Sequence, residues 1–179
     1  QFRVIDIPVT VVTRDKDLGQ IMVGVQDHWW DYAANDRLDG ASFEQKFGVS
    51  PQQFADYLAL VGDPVDDIPG VPGVGAKTAA KLLQAYGDLQ GIQRSLDDIP
   101  ALGIRGGKGI RDKLIEHWPA LLISRQLTAL ETQIPELGRT PSFRLQPQAV
   151  DDVSAYLDEL GIGGPLFARL KKLAARGNE

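Results

Sequence analysis

The stretch from Ile68 to Leu83 (Ile-Pro-Gly-Val-Pro-Gly-Val-Gly-Ala-Lys-Thr-Ala-Ala-Lys-Leu-Leu) constrains this chain more than any other feature. Two Pro-Gly steps and a further glycine, all before Ala76, exclude a regular helix or strand there, whereas Ala76 onward is rich in helix formers. A tight turn that runs straight into a helix leaves the helix's first N–H groups without intrahelical acceptors, at the positive end of the dipole. The segment therefore reads as a helix-hairpin-helix, with Gly73 and Gly75 making the turn and the amides facing a phosphate. Lys77 and Lys81 lie four apart on one face with Thr78 beside them, while Ala76, Ala79, Ala80, Leu83 and Tyr86 form the packing side. Contacts of this kind hold a sugar-phosphate backbone and carry no base information. The alternative is an ordinary Gly/Pro connector between helices. A Walker A loop is excluded because the Gly-Lys-Ser/Thr ending is missing.

A second glycine-rich stretch, Leu102 to Lys113, also precedes a helical pattern, and Arg105, Lys108 and Arg111 are placed to grip another phosphate. A solvated loop accounts for the same residues. Carboxylates supply the complementary chemistry. Asp15 and Asp17 follow the β-branched run Val9 to Thr13, at the carboxyl end of a strand, where ligand sites of α/β sheets gather. Asp63 and Asp66 lie three apart, two residues before the hairpin begins. Paired carboxylates suit hard cations such as Mg²⁺ or Mn²⁺ better than zinc, and two such ions can activate water and stabilise a leaving phosphodiester oxygen. Read alone, Asp63 is equally a helix cap and Asp15 to Asp17 a solvated turn.

Charge follows the same division. Residues 1–69 carry 5 Lys/Arg against 12 Asp/Glu, residues 70–130 carry 8 against 5, and residues 131–179 carry 6 against 7, for a net charge of −5. An acid-rich part followed by a basic one fits a metal-dependent enzyme acting on a polyanion, although ordinary surface charge also gives such asymmetry. With 43% apolar and 24% charged residues, the 179-residue chain is neither disordered nor collagen-like, and no stretch approaches the ~20 apolar residues of a membrane span. No cysteine is present, which excludes thiolate catalysis, disulfides and Cys-based zinc sites and makes the cytoplasm the default compartment. The Gln1-Phe2-Arg3-Val4 start reads as a cut end and not a signal peptide.

The remaining pattern predicts an edge strand at His28 to Tyr32, a turn from Asn35 to Gly40, a capping box at Ser42-x-x-Gln45, and a helix opened by Ser50-Pro51. Further helices are expected at 75–86, 88–95, 107–116, 119–131, 149–160 and 164–175, with a connector from Leu137 to Pro147. Trp29, Trp30 and Tyr32 are packing residues or stacking platforms for unpaired bases, and His28 and His117 have no motif partner.

Three segments resemble the 5′-nuclease family of flap endonucleases and the 5′→3′ exonuclease domain of bacterial DNA polymerase I: Val9 to Leu18, Phe47-Gly48-Val49-Ser50-Pro51, and Leu58 to Ala79 with its Gly62-Asp63-x-x-Asp66 run. The resemblance implies an α/β fold: part of a parallel-sheet, PIN-like core in residues 1–41, a mainly helical hairpin region in 42–136, and a connector with helices packing on the core in 137–179. It implies that Asp15, Asp17, Asp63 and Asp66 are ligands of a two-metal Mg²⁺ or Mn²⁺ site, that the hairpin grips DNA near a 5′ end or flap, and that carbonyls near Val71 and Val74 hold K⁺. Two departures stand out. Asp67 replaces the family's usual Asn, and the family's first Asp-bearing strand, its Glu/Asp cluster and its threading arch have no counterpart after Gln1, so they are expected upstream.

Overall fold

In the computed structural model, the residues described are 8–132, 134, 153, 155–162 and 164–176, and the chain divides into two units, Gln1–Pro135 and Glu136–Glu179. The first unit begins with a three-stranded sheet ordered β1 (Thr10–Val12), β2 (His28–Asp31), β3 (Asp36–Leu38). β1 runs parallel to β2 with Val11 opposite Trp29, and β2 runs antiparallel to β3 with Trp30 opposite Arg37. Two expectations are corrected here. His28 to Asp31 is the central strand, because Arg37 packs over Trp30 and Leu38 turns into the core, making a strand of the segment read as a turn. The β-branched run at Val9 to Thr13, which reads as a buried strand, is only partly so: among the described residues β1 pairs with β2 alone, and Val12 is 58% exposed. Buried Asp27 ties this end of the sheet together by accepting from the amides of Val9 (2.9 Å), Val23 (3.0 Å) and Gly24 (2.6 Å).

A helical layer follows. α1 (Gly40–Phe47) is capped by Asp39, which accepts from the Ser42 amide at 2.8 Å, so the start lies three residues before the expected Ser42 box. Ser50 and Gln53 form a capping box around a 3₁₀ turn at Pro51–Gln53, which opens α2 (Phe54–Val61). α2 is buried along nearly its whole length; its Phe54 stacks on its Tyr57 and meets Phe43 and Phe47 of α1 edge-on. α3 (Ala76–Tyr86), α4 (Leu89–Arg94) and a 3₁₀ segment (Leu96–Leu102) lead into α5 (Gly107–Thr128).

α5 is one 22-residue helix where the sequence reading has two. Pro119 usually breaks a helix at a cost of ~3 kcal/mol. Here Leu114, Trp118 and Leu121 on either side of it join the core, so packing overrides the local preference. Asp56 on α2 joins three helices, accepting from the Leu89 amide at the start of α4 (2.9 Å) and from Arg125 Nε on α5. In the second unit, residues 155–159 are helical and α6 spans Pro165–Arg176; the expected connector at 137–147 and the start of the expected 149–160 helix lie outside the described residues. Among the described residues, no helix is long and apolar enough to cross a membrane.

Candidate functional site

The Gly-Asp-x-x-Asp run is a closed loop. Asp63 and Ile68 exchange both backbone hydrogen bonds at 2.9 Å, and the Val65 amide donates to Asp63 Oδ1 at 3.0 Å. The loop's ends approach so closely that a Cβ on Gly62 would meet the Ile68 carbonyl at 2.6 Å, and one on Gly70 the Val61 carbonyl at 2.5 Å. Both residues also have positive φ, so glycine is required at each on two grounds. Asp67 has φ +55°, a left-handed conformation that Asn and Asp tolerate better than other side chains, and it lies exposed. The Asn-to-Asp departure thus keeps a residue that fits the turn, and Asp67 is not in the acid group.

Closing the loop aims Asp63 and Asp66 at the 3₁₀ turn that follows β1, Lys16–Ile21. Asp17, Asp63 and Asp66 each offer a carboxylate oxygen, and these atoms all lie within 4.8 Å of one another. Asp15, expected with them, is outside this group. It is exposed and caps the 3₁₀ turn by accepting from the Asp17 amide at 3.0 Å. Lys16, which the sequence reading left out, lies in the middle of the acids: its ammonium donates to Asp63 Oδ2 and stands 3.4 Å from Asp17 Oδ1. Its position between two aspartates was the only available signal, because the contact to Asp63 spans 47 residues.

The electrostatics follow this geometry. Burial pushes the Asp17 carboxyl above its ordinary range, and the charges of Asp15 and Asp63 add to the rise against the pull of Lys16. Burial acts in the same direction on Asp63, but hydrogen bonds from Lys16 and the Val65 amide outweigh it and hold that carboxyl low. Burial lowers the Lys16 ammonium, yet the Asp63 and Asp17 contacts more than reverse this. Asp17 Oδ1 is buried and accepts no hydrogen bond; its 3.4 Å approach to Lys16 is an ionic contact without hydrogen-bond geometry. A carboxylate oxygen left in this state beside two other acids fits a hard cation.

The hairpin follows without a break. The Val71 amide donates to the Leu60 carbonyl at 2.8 Å, tying the turn to the end of α2, and the Val74 amide donates to the Val71 carbonyl at 2.9 Å. Val71 and Val74 are both buried. α3 starts after Gly75 with no side-chain cap, so the amides of Ala76 and Lys77 have no intrahelical acceptor. Ala76, expected on the packing side, is exposed at this tip, and Leu82, which the sequence reading left out, is buried. Lys77 is exposed and Thr78 half-buried, whereas Lys81 turns toward the second glycine stretch and donates to the Gly103 carbonyl at 3.2 Å. There, exposed Arg105 and Lys108 flank Gly106 (φ +74°), after which α5 also begins without a side-chain cap. Arg111 is engaged by Asp97 and Asp112. Trp29 is a core residue whose indole donates to the Asp15 carbonyl at 2.7 Å, so its part in the site is to hold the turn that carries Asp15 and Asp17. Trp30 stacks edgewise on exposed Tyr32, and neither His28 nor His117 is in the acid group.

Residues 49–151 match the family model described as 5′-3′ exonuclease, C-terminal SAM fold. The chain is 44% identical to DNA polymerase I of Pseudomonas aeruginosa over 130 residues, covering 72% of this chain and 14% of that protein. It is 34% identical to a 5′-3′ exonuclease of Streptomyces coelicolor over 173 residues (94% of this chain, 56% of that one) and 39% identical to the flap endonuclease Xni of Pectobacterium carotovorum over 142 (79% and 51%). It thus spans about half the length of the two nucleases and far less of the polymerase. The fold is shared with the T5 D15 protein co-crystallised with metal ions (TM-score 0.57, 18% identity, 96% of this chain and 54% of that one). It is shared also with the catalytic core of Rad2 in complex with DNA substrate (TM-score 0.52, 13% identity, 94% and 57%). A family match over more than half of the chain, on a fold that brings the Gly-Asp-x-x-Asp loop and the hairpin together, places this chain in the 5′-3′ exonuclease family.

Proposed function

We propose that the chain carries the duplex grip and part of the carboxylate set of a structure-directed 5′-nuclease. In this reading the full-length protein hydrolyses DNA phosphodiester bonds near 5′ ends or flaps by a two-metal route. The observation that carries it is the rigid continuity from Asp63 and Asp66 through Gly70 to the uncapped start of α3, which fixes acids and phosphate-facing amides on one short piece of backbone. Mg²⁺ or Mn²⁺, held by Asp17, Asp63 and Asp66 with Asp15 close by in sequence, would supply water activation and leaving-group stabilisation. The chain's own residues do the positioning. The hairpin amides with Gly73, Gly75, Lys77 and Thr78 hold one stretch of backbone, while Arg105 and Lys108, joined through Lys81, hold another, all without reading sequence. The buried Val71–Val74 turn is where K⁺ would bind backbone carbonyls.

A second reading, a DNA-binding module that does not itself cut, is favoured by one observation: Lys16 stands among the acids and offsets part of their charge. Both readings require backbone binding. Lys77→Ala is expected to weaken binding of a 5′-flap duplex equally on unrelated sequences and to reduce the slope of log affinity against log salt by about 1, as loss of one phosphate contact does. Fluorescence anisotropy across a salt series checks this, and a loss confined to one sequence would contradict it.

A further inference from the structure

The two glycine stretches exchange lysines. Lys81, on the helix behind the hairpin, donates to the Gly103 carbonyl of the second stretch. Lys113, on α5 at the end of the second stretch, reaches back to the hairpin. Its Nζ lies 3.0 Å, and its Cδ 3.9 Å, from where a Cβ on Gly73 would stand, with Ile110 Cδ1 at 3.8 Å on the same side. The Lys113 stem therefore lies over the bare Cα of Gly73 at the tip of the turn, beside buried Ile110, and its ammonium remains at the surface. Lys113 has no carboxylate partner among the described residues, in contrast to its neighbour Arg111. The ammonium thus stands over Gly73, three residues before the uncapped start of α3, and a phosphate held there could draw on both backbone N–H groups and a side-chain cation.

We propose that Lys113 is a phosphate-contacting residue of the hairpin. It completes a grip in which the turn after Gly73 and an ammonium from forty residues downstream meet the same stretch of nucleic-acid backbone. Lys81, by the same exchange, belongs to the second stretch. The proposal rests on the DNA-binding reading above and adds a residue that the local hairpin motif does not contain.

The test is anisotropy of a labelled 5′-flap duplex across a KCl series, using the chain and its Lys113→Ala, Lys113→Arg and Lys77→Ala variants, with circular dichroism melting of each. Lys113→Ala is expected to melt with the wild type, to bind more weakly on every sequence, and to lose about 1 from the salt slope, while Lys113→Arg restores the slope. If Lys77→Ala weakens binding and Lys113→Ala does not, or if arginine fails to restore the slope, Lys113 is not a phosphate contact and the DNA-binding reading stands. If the wild-type chain does not bind, or neither alanine variant changes binding, the DNA-binding reading fails and this proposal with it.

Discussion

Asp66→Ala, introduced into the full-length protein, is expected to abolish metal-dependent cleavage of a 5′-flap duplex while leaving fold and DNA affinity almost unchanged. Asp66 is exposed, and the loop's closing bonds run through its backbone and through Asp63, so losing its side chain costs the loop little. Its carboxylate nonetheless belongs to the three-acid group. A partner outside the first coordination sphere is worth ~10–100-fold in metal affinity or activity, so removing a direct ligand is expected to cost more than that. Asp63 needs a gentler change, because it also holds the Val65 amide and Lys16. Asp63→Asn keeps an acceptor for Val65 and removes the charge, and is expected to behave as Asp66→Ala does. Single-turnover cleavage in Mg²⁺ and in Mn²⁺ checks both, and normal turnover in either variant would remove the metal assignment.

The largest effect on stability is expected at the Asp56–Arg125 pair. Arg125→Ala leaves Asp56, 7% exposed, with the Leu89 amide as its remaining donor at the junction of α2, α4 and α5. Breaking a buried ion pair from one side costs roughly 3–5 kcal/mol. The Arg125 side chain is 34% exposed, so solvent screens part of the pair, and the low end, about 3 kcal/mol or a fall of roughly 10 °C in Tm, is expected. Asp56→Asn keeps an acceptor for Leu89 and lets Arg125 turn to water, so its loss is expected to be smaller. Thermal melts of the two variants check the order, and equal melting of Arg125→Ala and wild type would show that the pair contributes nothing.

What was legible in the sequence was local. The hairpin, the helix over 75–86 and the Ser50 start were readable because glycine, proline and capping residues act within a few positions of themselves. The grouping of Asp63 with Asp66 was readable for the same reason. The errors fell where distant partners decide. β3 forms because Arg37 and Leu38 meet Trp30 and the core, and α5 runs through Pro119 because its flanks pack. Lys16 against Asp63 and Lys113 against Gly73 join residues 47 and 40 positions apart, which no spacing rule encodes. Asp15 and Asp17, equivalent as letters, separate in space because one caps the turn that aims the other.

In the proposed function this chain holds the duplex grip whole and the carboxylate set in part. The direct measurement is a paired gel-shift and cleavage assay of the 179-residue chain on one labelled 5′-flap duplex, with Mg²⁺ and with Mn²⁺, beside its Asp63→Asn variant. Three gathered acids, with Lys16 among them, hold a reluctantly dehydrating ion poorly, whereas both glycine stretches and their lysines are present. The expected result is a shifted band with uncut DNA for chain and variant alike. Metal-dependent cutting by the chain that disappears in Asp63→Asn, or no shift at all, would contradict it.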